Sequence, residues 1–220
     1  MRHYVPKGTF KSHGHFNKVY VTGPTTSEHA LVVTQQGADI VASALNTTVY
    51  MPDFFEPHGP FPIEKFPPQT DEDKNQLQEF FGGTANPAEN TAKLVAFGRV
   101  LKEGGAKRVG GKVTVSAGGE NTPFDAVSIV HPAMLSAEDA NKLTVPLGMY
   151  ISGDEPVDEY NKIIDVLSKK PFASQCDYKN YTNMFHGWAA ARGDLNNADN
   201  KREYEDVYKR LVEYFKKTLV

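Results

Sequence analysis

Short runs of apolar and β-branched residues alternate along this chain with longer stretches of helical period, and that alternation restricts the fold more than any other feature. Residues 18–22 (KVYVT), 30–33 (ALVV), 48–51 (TVYM), 112–115, 126–130 and 147–151 have the composition of buried strands, and residues 175–181 alternate weakly. Between them, residues 35–45, 71–81, 87–102, 157–168 and 200–218 carry apolar side chains at helical spacing. In the first of these helices Ile40, Val41 and Ala44 are expected to face inward; in the last, Tyr204, Val207, Tyr208, Leu211, Phe215 and Leu219 form the stripe. Thr70 is placed to cap the second helix, whose first turn holds Asp71, Glu72 and Asp73, where the helix dipole favours negative charge. Pro57, Pro60, Pro62, Pro67 and Pro68 crowd residues 54–70, which therefore read as a loop. Strands that alternate with helices predict an α/β fold: a mostly parallel sheet with helices on both faces.

The bulk properties narrow the function. The chain has 220 residues, 40% hydrophobic and 23% charged, which suits one α/β domain over 1–220. Net charge is −3 with no basic stripe, so nucleic acid is not an expected partner. No apolar run approaches the roughly 20 residues that span a bilayer, and residues 1–10 hold no apolar core, so no signal peptide is expected. A lone cysteine, Cys176, makes no internal disulfide, so a cytoplasmic monomer or weak homodimer is expected. His3, His13 and His15 lack ligand spacing and a carboxylate or cysteine partner, so neither a metal nor another cofactor is expected.

In sheets of this kind sites form at the carboxyl ends of strands. Two residues stand there. Asp154 follows residues 147–151 in a Gly153-Asp154-Glu155-Pro156 turn, and His186 follows residues 175–181. Taken singly, Asp154 reads as a cap for the next helix and His186 as a structural histidine. Together they occupy the second and third places of the order nucleophile, acid, histidine. In that arrangement the carboxylate holds the imidazole's tautomer and the imidazole moves the proton.

Several segments carry a family resemblance. Val49-Tyr50-Met51-Pro52-Asp53-Phe54-Phe55, Thr122-Pro123-Phe124-Asp125-Ala126, Val130-His131-Pro132, Gly153-Asp154-Glu155-Pro156 and His186-Gly187-Trp188 occur in that order, after Val5-Pro6-Lys7-Gly8 and Tyr20-Val21-Thr22-Gly23-Pro24, which match opening strands. The chain resembles the dienelactone hydrolase family, particularly its fungal members, over essentially its whole length. The resemblance implies an α/β-hydrolase fold, hydrolysis of small-molecule esters or lactones (carboxymethylenebutenolidase-type chemistry), and Asp154 and His186 as triad acid and base.

Two departures accompany it. The family ends its central strand in Gly-x-Cys-x-Gly-Gly, whereas here Lys107-Arg108-Val109-Gly110 runs into Gly111-Lys112-Val113, as though the elbow were deleted and the central strand truncated. After Leu31-Val32-Val33 the family's oxyanion stretch is replaced by Thr34-Gln35-Gln36-Gly37. Loss of two coding segments would explain both gaps. A shortened central strand would leave ladder groups unpaired, and each such buried group costs about 1–3 kcal/mol. Ser116 reads locally as a surrogate nucleophile, in Val115-Ser116-Ala117-Gly118-Gly119, although the family alignment makes it an ordinary helical serine. Cys176 lies within the last strand and reads as an inert thiol. Arg192 follows the histidine motif and would grip a substrate carboxylate, or else is a solvated surface residue. Two functions remain open: an ester or lactone hydrolase impaired by loss of its cysteine, and a non-catalytic relative that binds without turning over.

Overall fold

The structure is a computed structural model that describes residues 5–34 and 37–219. Its eight strands are β1 (Thr9–His13), β2 (Phe16–Thr22), β3 (His29–Val33), β4 (Thr48–Pro52), β5 (Arg108–Lys112), β6 (Ala126–Val130), β7 (Leu147–Ser152) and β8 (Asp177–Tyr181). They form one sheet in the order β1-β2-β4-β3-β5-β6-β7-β8. β2 runs antiparallel to both β1 and β4, and every pairing from β4 through β3 to β8 is parallel.

Six α-helices accompany the sheet: α1 (Ala38–Leu45), α2 (Asp71–Gly82), α3 (Pro87–Glu103), α4 (Ala137–Lys142), α5 (Val157–Leu167) and α6 (Ala198–Leu219). All but α2, which has no buried residue, divide between two cores. Leu94, Phe97 and Leu101 of α3 and Tyr160, Ile163 and Leu167 of α5 pack with one face of the sheet. Val41 and Ala42 of α1 and Val207, Leu211 and Phe215 of α6 pack with the other. Each face of a parallel sheet is apolar and must be covered, which is why the strands read as nearly continuous apolar runs. Helix starts are set by local chemistry: Thr70 accepts from the Asp73 N–H at 3.1 Å, and Asn86 accepts from the Ala88 and Glu89 N–H groups.

Four sequence expectations are corrected. The opening strand lies at Thr9–His13 and not at residues 5–8, which are irregular. α1 turns inward on Ala38, Asp39, Val41 and Ala42, while Ile40 is exposed; the helix starts later than its apolar pattern suggested, and Gln35 and Gln36 lie outside the described residues. The central strand is Arg108–Lys112 and not residues 112–115, where a 3₁₀ turn begins at Val115. Finally, β5 is not shorter than its neighbours. It has five residues, as β3, β4 and β6 do, and it pairs with β3 throughout and with β6 over Gly110, Gly111 and Lys112.

The two glycines explain why β5 escapes a propensity reading. A Cβ at Gly110 would stand 2.7 Å from Leu219 and 3.0 Å from Phe215 of α6. One at Gly111 would stand 2.8 Å from Val113 and 3.1 Å from Phe124. Close packing on both faces selects glycine here, against its poor strand propensity.

Candidate active site

β7 and β8 are parallel neighbours with Ser152 opposite Tyr181, so the segments that follow them leave the same edge of the sheet. Gly153 N–H donates to the Met184 carbonyl at 2.9 Å and ties the two segments together. A Cβ at Gly153 would come within 2.8 Å of the Thr182 carbonyl oxygen, so this approach needs glycine.

His186 lies on the second segment, with its side chain one-third exposed. Its Nδ1 pairs at 2.8 Å with Oε1 of Glu155, whose side chain is almost wholly buried. The other Glu155 oxygen accepts from the Ser152 N–H. Burial raises the Glu155 carboxyl, but the bonds from His186 and Ser152 outweigh it, and the net shift is downward. Asp154 makes a different contact: its Oδ2 accepts the backbone N–H of His186 at 2.8 Å. Asp154 and His186 are thus brought together, but through the backbone, and it is Glu155 that meets the imidazole. The cap alternative fails too, since α5 is preceded by Pro156 with no side-chain cap. Two adjacent carboxylates in one turn were the visible signal; consecutive side chains point different ways, and the motif alone does not say which one faces the histidine.

The imidazole borders a cavity of about 330 Å³ whose walls include Lys112, Thr114, Ile129, His131, Met134 and His186. His131 stands 5.2 Å from His186, ring centroid to centroid, nearly edge to face. It is buried, and neither ring nitrogen has a hydrogen-bond partner among the described residues. Burial, reinforced by the charges of Lys112 and His186, pushes its pKa down to about 3, so it is neutral at ordinary pH. Lys112, the last residue of β5, is also buried, and burial pushes its pKa down to about 8.

Lys112 carries a stability consequence. Its ammonium titrates at about 10.5 in the unfolded chain and about 8 in the folded one. Stability therefore rises as pH increases from 8 to 10.5, and the penalty is fully present below 8. Each unit is worth about 1.4 kcal/mol, so Lys112→Met should stabilise the protein at pH 7 by up to about 3 kcal/mol. Urea unfolding across pH 7–11 checks this, and an unchanged pH slope in the variant would refute it.

The remaining sequence candidates lie elsewhere or do something else. Ser116 is exposed in the Val115–Gly118 turn, with its hydroxyl 3.1 Å from that of Thr114 and 3.3 Å from that of Thr91, and it does not line the cavity of His186. Arg192 donates to the His186 carbonyl at 2.6 Å and stands over the Phe185 ring, so it braces the histidine segment from behind. Its side chain also covers Gly187, whose φ of +89° is left-handed. Cys176 sits before β8, with Sγ 3.5 Å from Leu147 N, near the start of β7. The five residues of β8 separate it from the histidine segment by about 17 Å. His13 and His15 meet Phe97 edge to face, and His3 lies outside the described residues. No group of three or more potential ligand side chains gathers for a metal among the described residues, and no helix there is long and apolar enough to cross a membrane.

Similarity to known proteins bears on the arrangement. A putative dienelactone hydrolase from Klebsiella pneumoniae superimposes with a TM-score of 0.60 at 14% identity, covering 90% of this chain and 92% of that one. This chain has the α/β-hydrolase fold. A dienelactone hydrolase-like promiscuous phosphotriesterase, P91, from metagenomic libraries matches at 0.53 with 13% identity over 94% of this chain and 97% of that one. Among curated proteins, the uncharacterized AIM2 family protein C30D10.14 of Schizosaccharomyces pombe is 26% identical over 215 residues, spanning 89% of this chain and 85% of that protein. A second from the same yeast, C977.15, is 24% identical over 90% of this chain and 87% of that protein. No protein-family model matches the chain.

Within the α/β-hydrolase fold the nucleophile stands on a sharp turn between the central strand and the helix after it. Here β5 ends at Lys112, and Val113 and Thr114 lead into a single 3₁₀ turn. His186 and Glu155 are paired at this edge of the sheet, and Cys176, the one thiol of the sequence, precedes β8 and does not face them.

Proposed function

We propose that this protein hydrolyses carboxylic esters or lactones slowly, with His186 acting as a general base on water and Glu155 fixing the imidazole. The observation that carries the reading is the 2.8 Å bond between Glu155 and Nδ1 of His186 at the edge of a cavity where strands β3, β5 and β6 end. Acceptance by Glu155 keeps the proton on Nδ1 and leaves Nε2 with a lone pair. Nε2 takes a proton from water as the water oxygen attacks the ester carbonyl carbon. It returns that proton to the departing alkoxide when the tetrahedral intermediate collapses to acid and alcohol. The mechanism calls for no cofactor. The likeness of the segments around Pro52, Asp154 and His186 to dienelactone hydrolases supports the substrate class.

A second reading is favoured by one observation: Lys112 and Val113 stand where the fold puts its nucleophile, so the same cavity serves a protein that binds esters or lactones without cleaving them. Hydrolysis of p-nitrophenyl acetate by the purified chain decides between them. Slow turnover that disappears in His186→Ala and survives alkylation of Cys176 by iodoacetamide is the expected result. Equal rates for wild type and His186→Ala would leave only the binding reading.

A further inference from the structure

A second cavity, of about 450 Å³, adjoins the one at His186. Phe10, Met51, Phe54, Phe55, Pro87 and Leu94 supply most of its apolar wall. The two cavities share Thr34, Val113 and Thr114, the residues that follow β3 and β5, so they meet at the carboxyl edge of the sheet's centre. A volume of this size lies within the range of about 300–1,000 Å³ typical of small-molecule sites. The charged side chains on its wall, Lys18 and Asp53, pair with each other at 3.2 Å, so nothing there calls for an anion.

We infer that this chamber holds the apolar acyl or aryl part of a neutral ester, with the carbonyl carried past Thr34 and Thr114 to His186. The inference rests on the hydrolase reading for the carbonyl's destination, while occupancy of the chamber is independent of it. Aromatic and aliphatic walls favour an uncharged hydrophobic group. Transfer of each methylene from water into such a chamber tightens binding by about fourfold. The site therefore selects medium-chain or aryl acyl groups over acetyl.

The test uses the full chain carrying His186→Ala, in which hydrolysis is silent, and straight-chain amides as probes. Dissociation constants for acetamide, butyramide and hexanamide, measured by NMR titration, should fall by at least about 10-fold across the series. Hexanamide should shift the methyl resonances of Leu94 and Val113. Thr91 lines the chamber from α3, and adding Thr91→Phe should remove most of the gain with chain length. Affinity independent of chain length, or methyl shifts confined to other residues, would overturn the inference, as would a gain that persists in a folded Thr91→Phe protein. If Thr91→Phe does not fold, the chain-length series and the methyl shifts decide alone. A chain-length gain in a protein that never cleaves p-nitrophenyl hexanoate would sink the hydrolase reading and leave the pocket standing. Cleavage of the acetyl ester with no gain would do the reverse.

Discussion

Replacing His131 by Asn should make the protein markedly more resistant to acid. The native imidazole refuses a proton until about pH 3, whereas the unfolded chain takes one up near 6.5. The stabilisation from keeping His131 neutral is thus complete above pH 6.5 and is lost as pH falls toward 3. The full difference is about 5 kcal/mol, with about 3 kcal/mol already gone at pH 4. Against a total stability of about 5–15 kcal/mol, one buried histidine is enough to bring on acid unfolding. Asn is the informative substitute because residue 131 has φ of +39°, a left-handed conformation that Asn adopts more readily than most residues, and because it does not titrate. Urea midpoints at pH 7 and pH 4 should differ much less for His131→Asn than for wild type. An identical acid loss in the two proteins would show that the imidazole is solvated and that its burial is not the controlling cost.

His131 and Lys112 stand at one cavity, and the Lys112 charge disfavours protonation of His131. Their substitutions should therefore combine non-additively. Placing two such groups together in a buried position opposes folding, and strained or costly arrangements of this kind gather at functional cavities. The expected acid sensitivity would thus originate at the cavity that His186 borders.

Much of the architecture was legible because buried parallel strands are written as apolar runs. Residues 126–130 and 147–151 could be assigned from composition alone, as could the amphipathic 22-residue helix α6. β5 was not legible, since Gly110 and Gly111 answer to Leu219, Phe215 and Phe124, all distant in sequence. The phase of α1 was misread for a related reason: an eight-residue helix with Val41 facing the sheet and Ile40 facing solvent offers too little period to choose between them. At the site, chain order located the histidine segment and the turn after β7. It could not separate Asp154 from Glu155, because the choice depends on how Glu155 folds back to the Ser152 N–H. Nor could it rank Ser116, whose hydroxyl is drawn to Thr91 on α3 and Thr114.

Asp154 and Glu155 should differ most sharply in kinetics. If His186 is the base, Glu155→Gln should lower ester hydrolysis by about 100-fold or more, approaching the His186→Ala value, because general-base assistance contributes about 100- to 10,000-fold. The reason is tautomeric. The carboxylate accepts the Nδ1 proton and leaves Nε2 unprotonated, whereas a glutamine amide can donate to Nδ1 and move the proton to Nε2, where it blocks the base. Asp154→Asn should cost less than about 10-fold, since an amide oxygen can still accept the His186 N–H and only the charge on that bond is lost. The pH profile adds a second readout. Glu155 is held below the ordinary carboxylate range by its bonds from His186 and Ser152, so it stays ionised through the neutral region and any titration of activity there does not belong to this carboxylate. The reverse ranking, with Asp154→Asn inactive and Glu155→Gln nearly normal, would mean that Asp154, and not Glu155, directs the imidazole during turnover.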